Sequence, residues 1–155
     1  MTELRKTAKN IMTKNPITFT PTMSVKEAAK ILAEKDIGGA PVLDSNGRLV
    51  GIVTESDLIV QDVRLRFPTY IELLDGYLYL PGSLEHFEEE FKKAIGAEVA
   101  DVMTMEVITV GEGTSIEDIA TLMVEKDIGR VPVMSGDRVV GIVTKGDIVR
   151  AISRG

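Results

Sequence analysis

The chain has 155 residues, 44% of them apolar, and a formal net charge of −6, which suits a globular protein that buries a sizeable core. The acidic balance argues against a nucleic-acid partner, and the absence of cysteine excludes disulfides, thiol nucleophiles and thiolate metal sites. The sequence shows neither a membrane-spanning apolar run nor a secretory signal, so we expect a cytoplasmic protein without a membrane partner.

One unit occurs twice in the sequence, over residues 10–59 and 101–149. The matched segments are Met12-Thr13 with Met103-Thr104, Asp36-Ile37-Gly38 with Asp127-Ile128-Gly129, Pro41-Val42 with Pro132-Val133, and Gly51-Ile52-Val53-Thr54 with Gly141-Ile142-Val143-Thr144. An aspartate follows each of these last segments, at Asp57 and Asp147. The repeat predicts two similar half-domains related by a pseudo-twofold axis, with a cleft between like surfaces.

Each copy opens with a predicted helical turn and a short strand. These are Lys6–Met12 and Ile17–Phe19 in the first copy, and Val99–Met103 and Val107–Val110 in the second. Ser24 and Ser115 are each placed to cap the long helix that follows, because acidic residues and helically spaced apolar residues come directly after them. We therefore expect an α/β fold in which each copy is a β-α-β-β-α unit with a small three-stranded sheet.

The long helix of each copy is expected to stop near Asp36 or Asp127. Gly38 and Gly129 lie two residues further on, where a glycine often ends a helix. A hairpin follows in both copies, and in the first its turn is Asp44-Ser45-Asn46-Gly47, a strong turn signal. A second helix is expected to close each copy.

The segment between the copies has no counterpart in either of them. Ser83 is placed to cap a helix that carries Phe87, Phe91 and Ile95 at four-residue spacing. The segment holds all three tyrosines and most of the phenylalanines, so we expect it to pack against another surface. The predicted organisation is a first unit over residues 8–60, a partly helical insert over 61–98, and a second unit over 99–155.

The strongest functional signal is the pair of strand-to-helix corners at Gly51–Asp57 and Gly141–Asp147. Free backbone N–H groups at the start of a helix favour an anion such as phosphate. The two carboxylate oxygens of an aspartate can accept hydrogen bonds from both hydroxyls of a ribose. The aspartates could instead only cap their helices. Because the corner is duplicated at positions that a twofold axis would bring to one cleft, we favour ligand binding.

The sequence resembles a tandem pair of cystathionine β-synthase (CBS) domains, often called a Bateman module. The resemblance rests on the opening Met-Thr, the Asp-Ile-Gly-x-x-Pro-Val stretch and Gly-Ile-Val-Thr-x-x-Asp, which both copies contain. It covers nearly the whole chain except the insert. It implies two CBS units packed through their sheets, regulatory sites for AMP, ADP, ATP or S-adenosylmethionine in the cleft, and a homodimer. No catalytic residue and no metal site is indicated.

Carried over to this chain, the resemblance assigns Asp57 and Asp147 to the ribose hydroxyls. It assigns Thr54 and Thr144 to the ribose or the first phosphate. The adenine would lie between segments that include Ile17, Thr18, Ile108, Thr109, Ile37, Gly38, Gly39, Ala40, Ile128, Gly129 and Val131. The sequence leaves open which copy supplies the adenine wall for a given aspartate.

The two sites are not expected to be equivalent, because only the second copy carries cations at them. Arg130 stands where many relatives hold a basic residue that faces the phosphates, and its fork of donors suits phosphate oxygens. Gly39 takes that position in the first copy. Lys145 follows Thr144, where the first copy has Glu55. We expect one tighter site for a phosphorylated ligand and a second that is weak, empty or suited to a less charged nucleoside.

The sequence is compatible with two functions. The first is a regulatory module that senses an adenosine compound and signals to a separate effector protein. The alternative is a dimerising interaction module that docks a partner through the aromatic insert and retains a vestigial nucleotide pocket. Gly39 and Glu55 favour the alternative, whereas Arg130, Lys145 and the duplicated aspartates favour sensing. An enzyme is the least favoured class, because the sequence has no room for a catalytic domain beside the two units.

Overall fold

The computed structural model describes residues 6–58, 70–73, 76–79 and 97–154. Its elements in chain order are α1 Ala8–Ile11, β1 Thr13–Lys14, α2 Val25–Glu34, β2 Gly39–Leu43, β3 Leu49–Thr54, β4 Tyr70–Leu73, β5 Gly76–Tyr79, α3 Val99–Val102, β6 Val110–Gly111, α4 Ile116–Lys126, β7 Arg130–Ser135, β8 Arg138–Thr144 and α5 Lys145–Arg154. A helical turn over residues 55–58 follows β3. The predicted α/β fold with small sheets is confirmed.

Both copies contain the same antiparallel strand pair, but among the described residues the predicted three-stranded sheet is found in neither: the second copy belongs to a four-stranded sheet and the first has two strands. In the second copy, β7 pairs with β8 antiparallel and with β6 in parallel. In the first copy, β2 and β3 form the equivalent antiparallel pair. The strand predicted at Ile17–Phe19 is reduced to one parallel bridge from Phe19 to Val42, and the strand predicted at Val107–Val110 forms at its end, as β6.

The opening helix of each copy packs into the core of the other copy. Ala8 of α1 is fully buried among residues of the second copy, and Val99 of α3 is fully buried among residues of the first. The backbone contacts repeat as a matched pair: the Ala8 N–H donates to the Thr114 carbonyl and the Val99 N–H donates to the Met23 carbonyl, both at 2.8 Å. This reciprocal exchange relates the two copies by an approximate twofold axis.

The residues after the exchanged helices extend the sheet of the opposite copy. β1 pairs with β8 and gives the four-stranded order β1-β8-β7-β6, while Thr104 bridges Ile52 of β3. Met12 lies directly against Gly141 and Met103 against Gly51, where a Cβ atom on either glycine would collide with the methionine sulfur. The methionines therefore fill the space that each glycine leaves between the copies.

The ends of the long helices are set by polar side chains. The Ser24 and Ser115 hydroxyls each accept a hydrogen bond from a backbone N–H in the first turn, both at 3.1 Å, which confirms the predicted caps. At the other end, the left-handed residues are Asp36 (φ 51°) and Asp127 (φ 52°). The prediction that Gly38 and Gly129 end these helices is therefore wrong, because aspartate itself adopts the left-handed conformation here.

The predicted hairpin turn of the first copy is confirmed. Asp44 Oδ1 accepts hydrogen bonds from the N–H groups of Asn46 and Arg48, both at 2.9 Å, and Gly47 has a φ of 78°. Between the copies, β4 and β5 form an antiparallel hairpin. The helix predicted around residues 83–95 lies outside the described residues. No helix in the described part of the chain is long and apolar enough to cross a bilayer.

Candidate functional site

The corner of the first copy opens onto a cavity of about 220 Å³ between the copies. We call it the first-corner cavity. The first copy contributes Ile52, Thr54 and Ser56 to its lining. The opposite wall comes from the second copy and consists of Val107, Ile108, Ile128, Gly129 and Arg130, with the acids Glu106 and Asp127.

The corner of the second copy opens onto a larger cavity of about 490 Å³, the second-corner cavity. The second copy contributes Ile142, Thr144, Asp147 and Arg150, and the first copy contributes a wall that includes Ile17, Ile37, Gly38 and Gly39. Each threonine–aspartate corner thus faces the predicted adenine wall of the opposite copy.

Asp57 is partly buried, and hydrogen bonds hold both of its carboxylate oxygens. Oδ2 accepts from the Thr54 backbone N–H at 2.9 Å and from the Thr54 hydroxyl at 3.2 Å. Oδ1 accepts from the Thr104 hydroxyl of the second copy at 3.0 Å. Asp57 itself is not among the residues that line the first-corner cavity, but Thr54 and Thr104, which hold it, both are.

Asp147 is 8% exposed and lines the second-corner cavity directly. Its Oδ2 accepts from the Thr144 backbone N–H at 2.8 Å, and its own N–H donates to the Thr144 hydroxyl at 3.3 Å. Its Oδ1 accepts from the guanidinium of Arg150, one turn further along α5. The two corners therefore share the threonine contact but differ in the group that holds the other oxygen.

The Arg130 side chain lies between the two cavities and lines both. It covers Gly38 and Gly39 so closely that a Cβ atom on Gly39 would lie 2.9 Å from Arg130 Cδ. Burial lowers the pKa of the Arg130 guanidinium from its usual range, while the charges of Glu55 and Asp57 act in the opposite direction. Because the lowering dominates, this half-buried cation would gain from a further anion beside it.

The model of the CBS domain family matches residues 8–63 and 99–154, which together make up most of the chain. The chain belongs to the CBS domain family. An uncharacterised protein of Methanocaldococcus jannaschii is 36% identical over a match of 151 residues that covers 93% of this chain and 89% of that protein. The chloroplastic CBSX2 of Arabidopsis thaliana is 34% identical over 133 residues, and the match spans 84% of this chain but only 56% of CBSX2.

Solved CBS pairs share the fold of this chain over nearly its whole length. A crystal structure of CBSX2 in complex with AMP has a TM-score of 0.72 at 30% identity and covers 96% of this chain and 97% of that one. A CBS domain pair in complex with 5′-methylthioadenosine and S-adenosyl-L-methionine has a TM-score of 0.71 at 30% identity, with coverages of 97% and 98%. The two copies are thus a tandem pair of CBS units.

Some of the remaining predicted site residues line a cavity, and the others do not. Ile17, Ile37, Gly38, Gly39, Ile108, Ile128 and Gly129 line one cavity or the other. Ala40 and Val131 are fully buried inside β2 and β7, and Thr18 and Thr109 are exposed beside the lining isoleucines. Lys145 is exposed at the start of α5, and its backbone N–H donates to the Gly129 carbonyl at 3.0 Å.

The sequence did not predict two residues that hold the corner aspartates, Arg150 and Thr104. The spacing of Asp147 and Arg150 on one helix could have indicated their contact, since residues three apart are neighbours on a helix surface. Thr104 gave no such signal, because its contact with Asp57 depends on the exchange between CBS units. Within the described residues, no group of three or more His, Cys, Asp or Glu side chains could hold a metal ion.

Proposed function

We propose that the chain is a regulatory module that binds an adenosine compound between its two CBS units. The observation that carries this proposal is the crossed arrangement of the cavities, in which each threonine–aspartate corner faces apolar residues of the opposite unit. A ribose held by the corner and a base placed on the wall would contact both units at once. Such a ligand would therefore depend on how the two units are positioned.

The second-corner cavity is the proposed principal site. Its volume of about 490 Å³ falls within the range of roughly 300–1,000 Å³ that is usual for small-molecule pockets, whereas the first-corner cavity is smaller. Asp147 would accept hydrogen bonds from the ribose hydroxyls, and Ile17 and Ile37 would contact the base. Arg130 would face the phosphate of AMP, ADP or ATP. The AMP complex of CBSX2 and the S-adenosyl-L-methionine complex of a CBS pair support this class of ligand.

The regulatory step would be a change in the relative position of the CBS units. A ligand shifts such an equilibrium only as far as its affinities for the two positions differ, and a ligand that contacts both units satisfies this condition. We assign no reaction to the chain. The output would pass to a separate effector protein, and a homodimer would present two such modules. The alternative interaction-module function depends on residues 61–98, of which the paired strands β4 and β5 and residues 97–98 are described.

Thermal unfolding tests the proposal. AMP should raise the Tm, since a ligand that binds only the folded form adds about 2.7 kcal/mol at a concentration of 100 Kd. Asp147→Ala should abolish the rise, and Asp57→Ala should reduce it less. Asp137→Ala, which changes an exposed aspartate in the hairpin turn of the second unit, is the matched control and should leave the rise intact. If no adenosine compound shifts the Tm at millimolar concentration, the sensing function is wrong.

A further inference from the structure

The Oδ1 atoms of the two corner aspartates are held by different kinds of group. Oδ1 of Asp57 accepts from the neutral Thr104 hydroxyl, whereas Oδ1 of Asp147 accepts from the Arg150 guanidinium. The residue of the first unit that aligns with Arg150 is Val60. A ribose that hydrogen-bonds to both oxygens of the aspartate would therefore compete with a neutral hydroxyl at one corner and with a cation at the other.

Moving Arg150 away from Asp147 has an electrostatic consequence. The Arg150 side chain is 59% exposed whereas that of Asp147 is 10% exposed, so water can solvate the departing guanidinium while the ribose hydroxyls supply the buried carboxylate with hydrogen bonds. Arg150 also lines the second-corner cavity, together with Arg130. Once the ribose occupies the carboxylate, the freed guanidinium remains beside the ligand without its anion. A phosphate on the ligand would replace that anion, because a guanidinium binds phosphate oxygens in the same geometry as a carboxylate.

We propose that Arg150 sets the specificity of the second-corner site by making it favour nucleotides, which carry phosphate, over neutral nucleosides. This inference rests on the proposed adenosine-binding function and extends it to a residue outside the duplicated motif. The first corner differs, because its aspartate is held by the neutral Thr104 and its cavity, which Arg130 also lines, carries the acids Glu106 and Asp127. The arginine at position 150, aligned with Val60, thus adds to the difference in ligand charge that the two corners would select.

Isothermal titration with AMP and with adenosine tests this specificity. An Asp57→Ala background removes the first corner, so that the second site is measured alone. We expect AMP to bind at least about tenfold more tightly than adenosine, which corresponds to one charge-assisted hydrogen bond. Arg150→Val, which copies the first unit, should weaken AMP by a similar factor and leave adenosine unchanged or tighter. Arg150→Lys keeps the charge and should retain much of the preference.

The control is Arg154→Val, which removes an exposed arginine one turn further along the same helix and should leave both affinities unchanged. An AMP-to-adenosine ratio unaltered by Arg150→Val would overturn the inference. An equal loss of both ligands would also overturn it, since that result indicates a purely structural role. Absence of binding by any adenosine compound to the parent chain would contradict the proposed function itself, and this inference with it.

Discussion

Arg130 and the two glycines beneath it show how single residues shape the site. A Cβ atom on Gly38 would collide only with the guanidinium of Arg130, which is the mobile end of a flexible side chain. A Cβ atom on Gly39 would lie 2.8 Å from the backbone oxygen of Val53 in the neighbouring strand. The first glycine therefore leaves room for the Arg130 side chain alone, and the second leaves room for both that side chain and the neighbouring strand.

This difference makes a pair of alanine substitutions informative. Gly38→Ala should displace Arg130 and weaken AMP binding by about tenfold, the cost of one lost hydrogen bond to a charged group, with little change in Tm. Gly39→Ala should instead destabilise the fold by about 1–3 kcal/mol, because a strand backbone cannot move aside as a side chain can. Titration and thermal unfolding of both variants check the prediction. Equal behaviour of the two variants would contradict the placement of Arg130.

At the residue scale, the sequence predicted the positions that the repeat duplicates. Asp57, Asp147 and their threonines were found because the same motif occurs at both corners, and the structure brings each pair into hydrogen-bond contact. Thr104 was missed because its contact with Asp57 joins residues far apart in sequence. The ligand contacts themselves remain predictions for all of these residues.

At the scale of single elements, the ends of the long helices differ from the prediction in the residue that adopts the left-handed conformation. A glycine two residues past Asp36 and past Asp127 predicted a glycine cap, but the aspartates themselves have the left-handed φ values. The space around Gly129 is open, and a Cβ atom added there would have no neighbouring atom within 4 Å. The glycine is therefore not required by the helix end, and the aspartate bears the conformational cost.

Substitutions at the end of α4 test this assignment. Asp127→Ala should destabilise the fold by about 1 kcal/mol, because alanine in the left-handed region lacks the polar side chain that makes the conformation tolerable. Gly129→Ala should stay within about 0.5 kcal/mol of the parent, as most unstrained surface changes do. Denaturant unfolding without ligand measures both. A larger loss for Gly129→Ala than for Asp127→Ala would restore the glycine-cap interpretation.

Most regular elements could be predicted from local patterns, but β1 could not. The capping serines and the Asp44–Gly47 turn act through neighbouring residues, so the sequence shows them directly. β1 is only two residues long and pairs with the opposite CBS unit. Its formation depends on tertiary packing, and no periodicity of its own sequence could indicate it.

At the scale of the whole molecule, the exchange of opening segments explains why the cavities are shared. α1 and β1 leave the first unit to join the second, and α3 and Thr104 join the first unit in return. The repeat itself predicted the twofold relation, but it could not indicate which copy each opening segment joins. Because the opening segments are exchanged, each threonine–aspartate corner shares a cavity with residues of the opposite unit.

A crystal structure of the chain with AMP would show directly whether the ligand binds between the two CBS units. We expect AMP in the second-corner cavity, with its ribose hydroxyls on Asp147, its base against Ile17 and Ile37 of the opposite unit, and its phosphate near Arg130. Arg150 should have left Asp147 for the phosphate. An AMP molecule that binds elsewhere, or that contacts only one CBS unit, would contradict the account.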